Sequence, residues 1–166
     1  MTNWNNWKMP LMIAPLYAAL AAFGWFVVID RDIPITLLYQ HERFTIYPVN
    51  DRAEADAHGV DVVRSGTQLW IYREFCVTGH VHGTVRALWV AGNFGWPSPE
   101  RPIEDPGIGC WHKSVGLIAP TSNPSRDFVY RPEWTFRVNW LLDRDLPLPE
   151  IRLRVLSPED ATAAGL

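Results

Sequence analysis

An uninterrupted run of uncharged, mostly apolar residues, 9–29, lies near the N-terminus of the chain. Lys8 precedes this run, and an acidic-basic-acidic triplet at positions 30–32 follows it. At about 1.5 Å per residue, a helix over the run is roughly 31 Å long, which matches the hydrocarbon core of a bilayer. Buried helices of globular domains are usually shorter and less uniformly apolar. The sequence therefore predicts a single transmembrane α-helix over residues 9–29.

Tryptophans and one lysine flank the predicted helix. Trp4 and Trp7 precede it and Trp25 lies near its far end, where indole rings sit at the headgroup level of a bilayer. Lys8 is the only charged side chain before the helix. By the positive-inside rule, residues 1–8 then stay in the cytoplasm and the rest of the chain lies on the periplasmic or extracytoplasmic side.

A cleaved signal peptide is the alternative interpretation of the same run. Ala19-Leu20-Ala21 fits a small-x-small cleavage site. Apolar residues continue well past that site, which favours a retained anchor. Residues 30–33 then form a short juxtamembrane hinge that holds the following domain close to the membrane.

Composition excludes several classes of function. The net charge of -3 and the pI near 5.9 argue against a nucleic-acid partner, because such partners favour basic patches. The chain carries no G-x-S-x-G elbow, H-E-x-x-H motif, phosphate-binding loop or dinucleotide glycine fingerprint. Its acidic residues are spread along the chain. We therefore expect a binding protein without catalytic residues or a cofactor, rather than an enzyme.

Short segments rich in β-branched and aromatic residues follow the hinge, with turn signals every 8 to 12 residues or so. The predicted strands are residues 33–49, 62–67, 67–78, 81–94, 110–119, 127–142 and 151–156. Residues 50–61 read as a loop or one short helical turn, and the proline-rich residues 96–106 as a surface excursion that cannot lie in the middle of a sheet. This pattern predicts an antiparallel, immunoglobulin-like β-sandwich over residues 34–156 and a loosely held tail over 157–166.

Two cysteines, Cys76 and Cys110, lie in separate predicted strands. An isolated pair in an oxidising compartment is most simply one structural disulfide. Trp89, on the strand after Cys76, is then a candidate to pack against the bridge, as the core tryptophan does in immunoglobulin domains. Two buried free thiols are the alternative, and they would suit a cytoplasmic domain.

Three histidines near the cysteines suggest a competing hypothesis of metal binding. With Cys76 and Cys110, the residues His80, His82 and His112 form a C-x3-H-x-H and a C-x-H pattern. All five are ligand types that zinc accepts. Their spacing matches no established zinc signature, so we expect no metal site and keep a Cys/His sensor as an alternative.

Aromatic residues are the remaining candidates for recognition. Phe94 and Trp96 lie at the start of the proline-rich excursion, and Trp96 has no evident place in the core. An exposed aromatic side chain there could contact a protein partner or stack on sugar rings. Alternatively, Trp96 covers the end of the sandwich.

Five short motifs follow one another along the chain: Asp32-Ile33-Pro34-Ile35, Val63-Arg64-Ser65-Gly66, Ala87-Leu88-Trp89-Val90-Ala91-Gly92, Gly109-Cys110-Trp111-His112 and Phe136-Arg137-Val138-Asn139. In this order they resemble a group of small proteins of tailed-phage genomes that carry an N-terminal anchor and one β-sandwich with a cysteine pair. This chain differs in its longer stretch over 41–61 and an inserted Trp111. The resemblance implies a fold and a phage context, and no established activity.

Together these features predict a single-pass membrane protein that binds or assembles with other components. Its expected partners are the lipid bilayer and either a protein of the envelope or virion or further copies of itself. Three alternatives remain at this point: a module that binds cell-wall glycan through Trp96, a phage exclusion factor, and the Cys/His metal sensor.

Overall fold

The fold is described by a computed structural model over residues 8–24, 33–137 and 143–166. Within these ranges the chain is mainly β, as the sequence predicts. In chain order, the elements are α1 (Lys8–Gly24), β1 (Ile35–Gln40), α2 (Arg52–His58), β2 (Val62–Arg64), β3 (Gln68–Val77), β4 (Gly83–Ala91), β5 (Phe94–Pro97), β6 (Arg101–Pro102), β7 (Gly109–Ile118), β8 (Arg126–Arg137), β9 (Asp143–Pro147), β10 (Ile151–Leu156) and α3 (Pro158–Ala163).

The strands form two sheets. The small sheet has the order β1-β3-β7, and both of its pairings are antiparallel. The large sheet has the order β2-β10-β8-β4-β5, with β6 added to β4 and β9 added to β8. The short pairing of β2 with β10 is parallel, and the others in this sheet are antiparallel. This arrangement agrees with the predicted β-sandwich in its general form.

The core lies between the two sheets and follows from alternation along their central strands. On β3, Leu69 and Phe75 are buried, and on β8 so are Trp134 and Phe136. Phe75 meets Trp134 edge to face across the sheets, with ring centroids 5.8 Å apart. Burial of each such side chain contributes roughly 1.5–3 kcal/mol to the free energy of unfolding. Val138 and Trp140, which continue the alternation of Trp134 and Phe136 in the sequence, lie outside the described residues.

The proline-rich excursion contributes edge strands instead of a bare loop. β5 and β6 pair with consecutive parts of β4, and Pro97 and Pro102 lie within them. Proline is compatible with these positions because an edge strand can leave one row of amides unpaired. The excursion thus extends the large sheet and forms one wall of the space between the sheets.

The domain also contains two short helices: α2 agrees with the short helical turn weighed for residues 50–61, and α3 lies in the segment expected to be a loose tail. Asp51 caps α2 by accepting a hydrogen bond from the amide of Glu54. Ser157 caps α3 by accepting one from the amide of Asp160, and Ala161 is fully buried. Residues 157–166, which were expected to form a loosely held tail, are therefore partly helical and packed.

The apolar N-terminal run is helical over part of its predicted length. Helix α1 has 17 residues, beginning at Lys8 and ending at Gly24. Within the three described ranges, no helix combines the length and the apolar character needed to cross a membrane. Residues 25–29 of the predicted span lie outside the described residues, as do Trp4, Trp7 and Trp25 of the predicted membrane interface.

The predicted disulfide between Cys76 and Cys110 is confirmed, and the alternative of two free thiols is excluded. The two cysteines are register partners on the neighbouring strands β3 and β7, on the outer face of the small sheet. Trp89 packs instead in the core, where its ring centroid lies 4.7 Å from that of Tyr130. The bridge therefore joins two strands within one sheet and does not contact a core tryptophan.

Removal of the disulfide should destabilise the domain measurably. The bridge joins residues 34 positions apart, and on the chain-entropy model its loss lowers the free energy of unfolding by about 3–4 kcal/mol. We expect this loss in the C76S/C110S double variant by urea denaturation of the full-length protein. Wild-type protein treated with a reductant should unfold at the same urea concentration as the variant, whereas identical midpoints for oxidised wild type and variant would contradict the expectation.

Candidate binding site

A cleft of about 640 Å³ lies between the two sheets. Its floor contains Phe75, Tyr130 and Trp134, and one wall is residues 113–118 of the edge strand β7. The opposite wall is residues 98–104, which include β6. The volume is within the usual range for sites that bind small molecules, and such sites are likewise mostly apolar with a few polar groups.

Arg73, on the central strand β3, is one of the residues that line this cleft. The alternation of β3 directs Arg73 toward the core, where its side chain is 1% exposed. Its Nε donates a hydrogen bond of 2.8 Å to Oε1 of Gln40, whose Nε2 in turn donates to the carbonyl of Pro149 at 2.7 Å. Its Cζ lies 5.7 Å from the ring centroid of Trp134, within the range of a cation–π contact.

This buried cation lacks a counter-charge. Nη2 of Arg73 is buried without a hydrogen-bond partner among the residues that the structure describes, and within the same ranges no ion pair involves Arg73. Burial lowers the pKa of Arg73, and the neighbouring Tyr130 opposes that effect. A buried charge without a partner is strongly unfavourable, since burial of an ion costs several kcal/mol before any pairing. The site is therefore electrostatically incomplete as it stands.

Two contacts bridge the mouth of the cleft and connect its walls. Nη1 of Arg101 donates a hydrogen bond of 2.9 Å to the carbonyl of Gly116 on β7. Lys113 on β7 pairs with Glu104 at 3.1 Å, and both of these side chains are exposed. Exposed contacts of this kind contribute little to stability. The bridges can therefore open at low cost, and they keep two cationic side chains at the rim.

Sequence analysis did not identify Arg73 as a site residue. The sequence does carry a sign of its burial. In the segment 67–78, Arg73 lies on the same face of the strand as Leu69, Ile71 and Phe75, because side chains two residues apart share a face. A charged residue within a strand is ordinarily assumed to point to solvent, and so this position was not distinguished. An arginine in phase with the apolar residues of a strand is the pattern that would have revealed it.

The predicted contact residues Phe94 and Trp96 lie together on β5, with ring centroids 6.3 Å apart. Trp96 is 40% exposed, and its ring centroid lies 5.7 Å from that of the core residue Phe128. Phe94 is 67% exposed. Trp96 thus partly covers the end of the core, which agrees with the alternative role given to it in the sequence analysis. Phe94 instead presents an apolar surface to the surroundings.

The candidate metal ligands are not brought together. Cys76 and Cys110 are bonded to each other, so they offer no thiolate. His80 lies 3.1 Å from Asp105, and His112 stacks on Tyr72. His82 belongs to a separate polar cleft with Arg137 and Asp143. In the part of the chain that the structure describes, no three metal-ligating side chains converge.

Comparison with known proteins does not identify a family for the chain. No protein-family model matches the chain, and the search of curated proteins finds no match. The residues and their arrangement are therefore the basis for a proposed function.

Substitutions of Phe94 and Trp96 should show which of the two side chains stabilises the core. Trp96→Ala removes a contact with Phe128 and should lower the free energy of unfolding by about 1–2 kcal/mol, whereas Phe94→Ala should cost less than about 0.5 kcal/mol. Urea denaturation of both variants measures this difference. Equal losses in the two variants would contradict the assignment of Phe94 as a surface side chain.

Proposed function

We propose that the protein is a single-pass membrane-anchored binding or assembly protein that presents an immunoglobulin-like β-sandwich outside the cytoplasmic membrane. In this proposal residues 1–8 are cytoplasmic and residues 9–29 form the anchor. The observation that carries it is an apolar helix whose side chains over residues 14–23 are exposed, in a chain whose β domain contains a disulfide.

The exposure of α1 supports the anchor. Every side chain from Ala14 to Phe23 is exposed, with Leu16 at 61% and Phe23 at 67%. No charged residue occurs between Met9 and Ile29. An apolar helix that buries none of these side chains in its domain gains stability from an apolar surrounding, at about 25 cal/mol per Å² removed from water. A bilayer provides that surrounding.

The disulfide supports an extracytoplasmic position for the β-sandwich. Disulfides form and persist in oxidising compartments and are rare in the cytosol. The Cys76–Cys110 bridge therefore favours a domain beyond the cytoplasmic membrane. The positive-inside argument from Lys8 gives the same orientation independently.

The exposed aromatic side chains favour binding as the role of the domain. Phe94 and Trp96 form an apolar surface at one end of the sandwich, where an envelope or virion protein or a second copy could dock. The phage context, as a structural component or in host interaction, follows from the sequence resemblance alone. A phage exclusion factor would use the same surface on a different partner.

Glycan binding is the second candidate function, and the arrangement of the same two rings favours it. Neighbouring exposed aromatic rings can stack on successive sugar units. Sedimentation of the protein with cell-wall sacculi, lost in Trp96→Ala, would support this candidate over a protein partner. The Cys/His sensor has no assembled set of ligands to support it within the described ranges.

Membrane fractionation tests the proposed anchor and orientation. The full-length protein should stay in the membrane pellet after alkaline carbonate extraction, and protease added to spheroplasts should digest its β-sandwich. Leu16→Lys with Leu20→Lys should release it, since each charge near a helix centre costs about 2.5–3.5 kcal/mol on insertion. The matched control, Leu16→Ile with Leu20→Ile, should remain in the pellet.

Two outcomes of this experiment would contradict the proposal. Extraction of the wild-type protein by carbonate would argue against a retained anchor. Protection of the β-sandwich from protease in intact spheroplasts, with digestion after lysis, would place the domain on the cytoplasmic side.

A further inference from the structure

We propose that the cleft between the two sheets binds a small amphipathic monoanion, whose carboxylate or phosphate group pairs with Nη2 of Arg73 and whose apolar body lies along the aromatic floor. This inference goes beyond the proposed membrane-anchored role and does not depend on it. It assigns a ligand-binding site to the interior of the sandwich, separate from the exposed pair Phe94 and Trp96.

Arg73 is a buried cation with an unsatisfied donor. Its side chain is almost entirely buried, and its Nε is already occupied by Gln40. Arg73 lines the cleft, and its buried Nη2 has no hydrogen-bond partner among the described residues. Donors of a buried guanidinium bind carboxylate and phosphate oxygens strongly, because the hydrogen bonds are charge-assisted and water is excluded. A single anionic group therefore completes this site.

The walls of the cleft are mostly apolar. Phe75, Trp134 and Val85 line the cleft together with Arg73, and Leu117 and Ile118 line the part toward the end of β7. An inorganic anion would leave this apolar surface uncovered. A neutral apolar molecule would leave Nη2 unpaired. A ligand with one anionic end and an apolar body satisfies both parts of the cleft.

Two cationic side chains flank the way into the cleft. Arg101 and Lys113 stand at the mouth, where they can attract an anion before it reaches Arg73. Each is held by one exposed contact, to Gly116 and Glu104 respectively. Opening of these contacts separates residues 98–104 from β7 and admits the ligand without disruption of either sheet.

Titration with octanoate tests this site directly. Full-length protein in nanodiscs of zwitterionic lipid is titrated by calorimetry, with empty nanodiscs as the blank. We expect saturable binding of one equivalent of octanoate. Octanol has the same chain without the charge and should bind at least about tenfold more weakly, since a hydrogen bond to a charged group is worth at least this factor.

Three variants locate the binding in the cleft. Arg73→Gln should weaken octanoate binding about tenfold or more, whereas Arg131→Gln should not, because Arg131 pairs with Glu150 and does not line the cleft. Val115→Trp fills the cleft near its edge and leaves Arg73 in place. It should abolish octanoate binding. If circular dichroism shows that Arg73→Gln does not fold, Val115→Trp alone tests whether octanoate binds in the cleft.

Several results would overturn the proposal. These are the absence of saturable octanoate binding, equal affinities for octanoate and octanol, or wild-type affinity in a folded Arg73→Gln or Val115→Trp variant. The same titration with octyl phosphate shows which anionic group the site prefers. Tighter binding than that of octanoate identifies a phosphate group as the preferred anion, and weaker binding identifies a carboxylate. Both results retain the site.

Discussion

The two-residue periodicity of β3 is the constraint on which the remainder of the sandwich depends. This strand is the centre of the small sheet, and every second residue from Leu69 to Val77 faces the large sheet. The opposite parity carries Cys76 to the outer face. A slip of one residue would exchange these faces and expose the whole apolar set. The core, the disulfide and the buried charge are therefore fixed by one register.

The same periodicity explains why a cation lies inside an apolar core. Arg73 is in phase with the inward residues of β3, between the buried cluster that contains Trp89 and the cluster that contains Trp134. Gln40 and the face of Trp134 provide partial compensation. Replacement of a buried ion by an apolar side chain is often neutral or stabilising, so its presence in a core calls for a role. In our account that role is recognition of an anion.

The binding functions that we propose lie at different places in the molecule. In the proposal helix α1 serves for attachment. Phe94 and Trp96 form an exposed surface, and Arg73 lies in an interior cleft. The disulfide joins β3 to β7, and these strands line the same cleft. It thus holds one wall of the cleft to its floor, while the opposite wall, residues 98–104, is connected to β7 by weak exposed contacts.

Local patterns in the sequence predicted the longer strands but neither the edge strands β6 and β9 nor the arrangement of the sheets. The segment 127–142 predicted β8, and the cysteine pair predicted the bridge. The short helical turn weighed for residues 50–61 is present as α2, whereas α3 was missed because few residues carry its signal. Asp51 with Glu54 and Ser157 with Asp160 have the spacing of helix caps.

The arrangement of the strands depends on pairings between distant segments. The register of β3 with β7 and the parallel contact of β2 with β10 are of this kind, and no local pattern encodes them. The cleft could not be predicted for the same reason, since residues of six separate segments line it. Arg73 could be recognised only as a charge out of place on an alternating strand.

A crystal structure of the full-length protein with 8-bromooctanoate would test the central claim most directly. The anomalous signal of bromine locates the apolar end of the ligand without interpretation of weak density. Our account predicts bromine inside the cleft and a carboxylate oxygen within about 3 Å of Nη2 of Arg73. Bromine bound elsewhere, or a guanidinium already paired with a carboxylate of the protein itself, would contradict it.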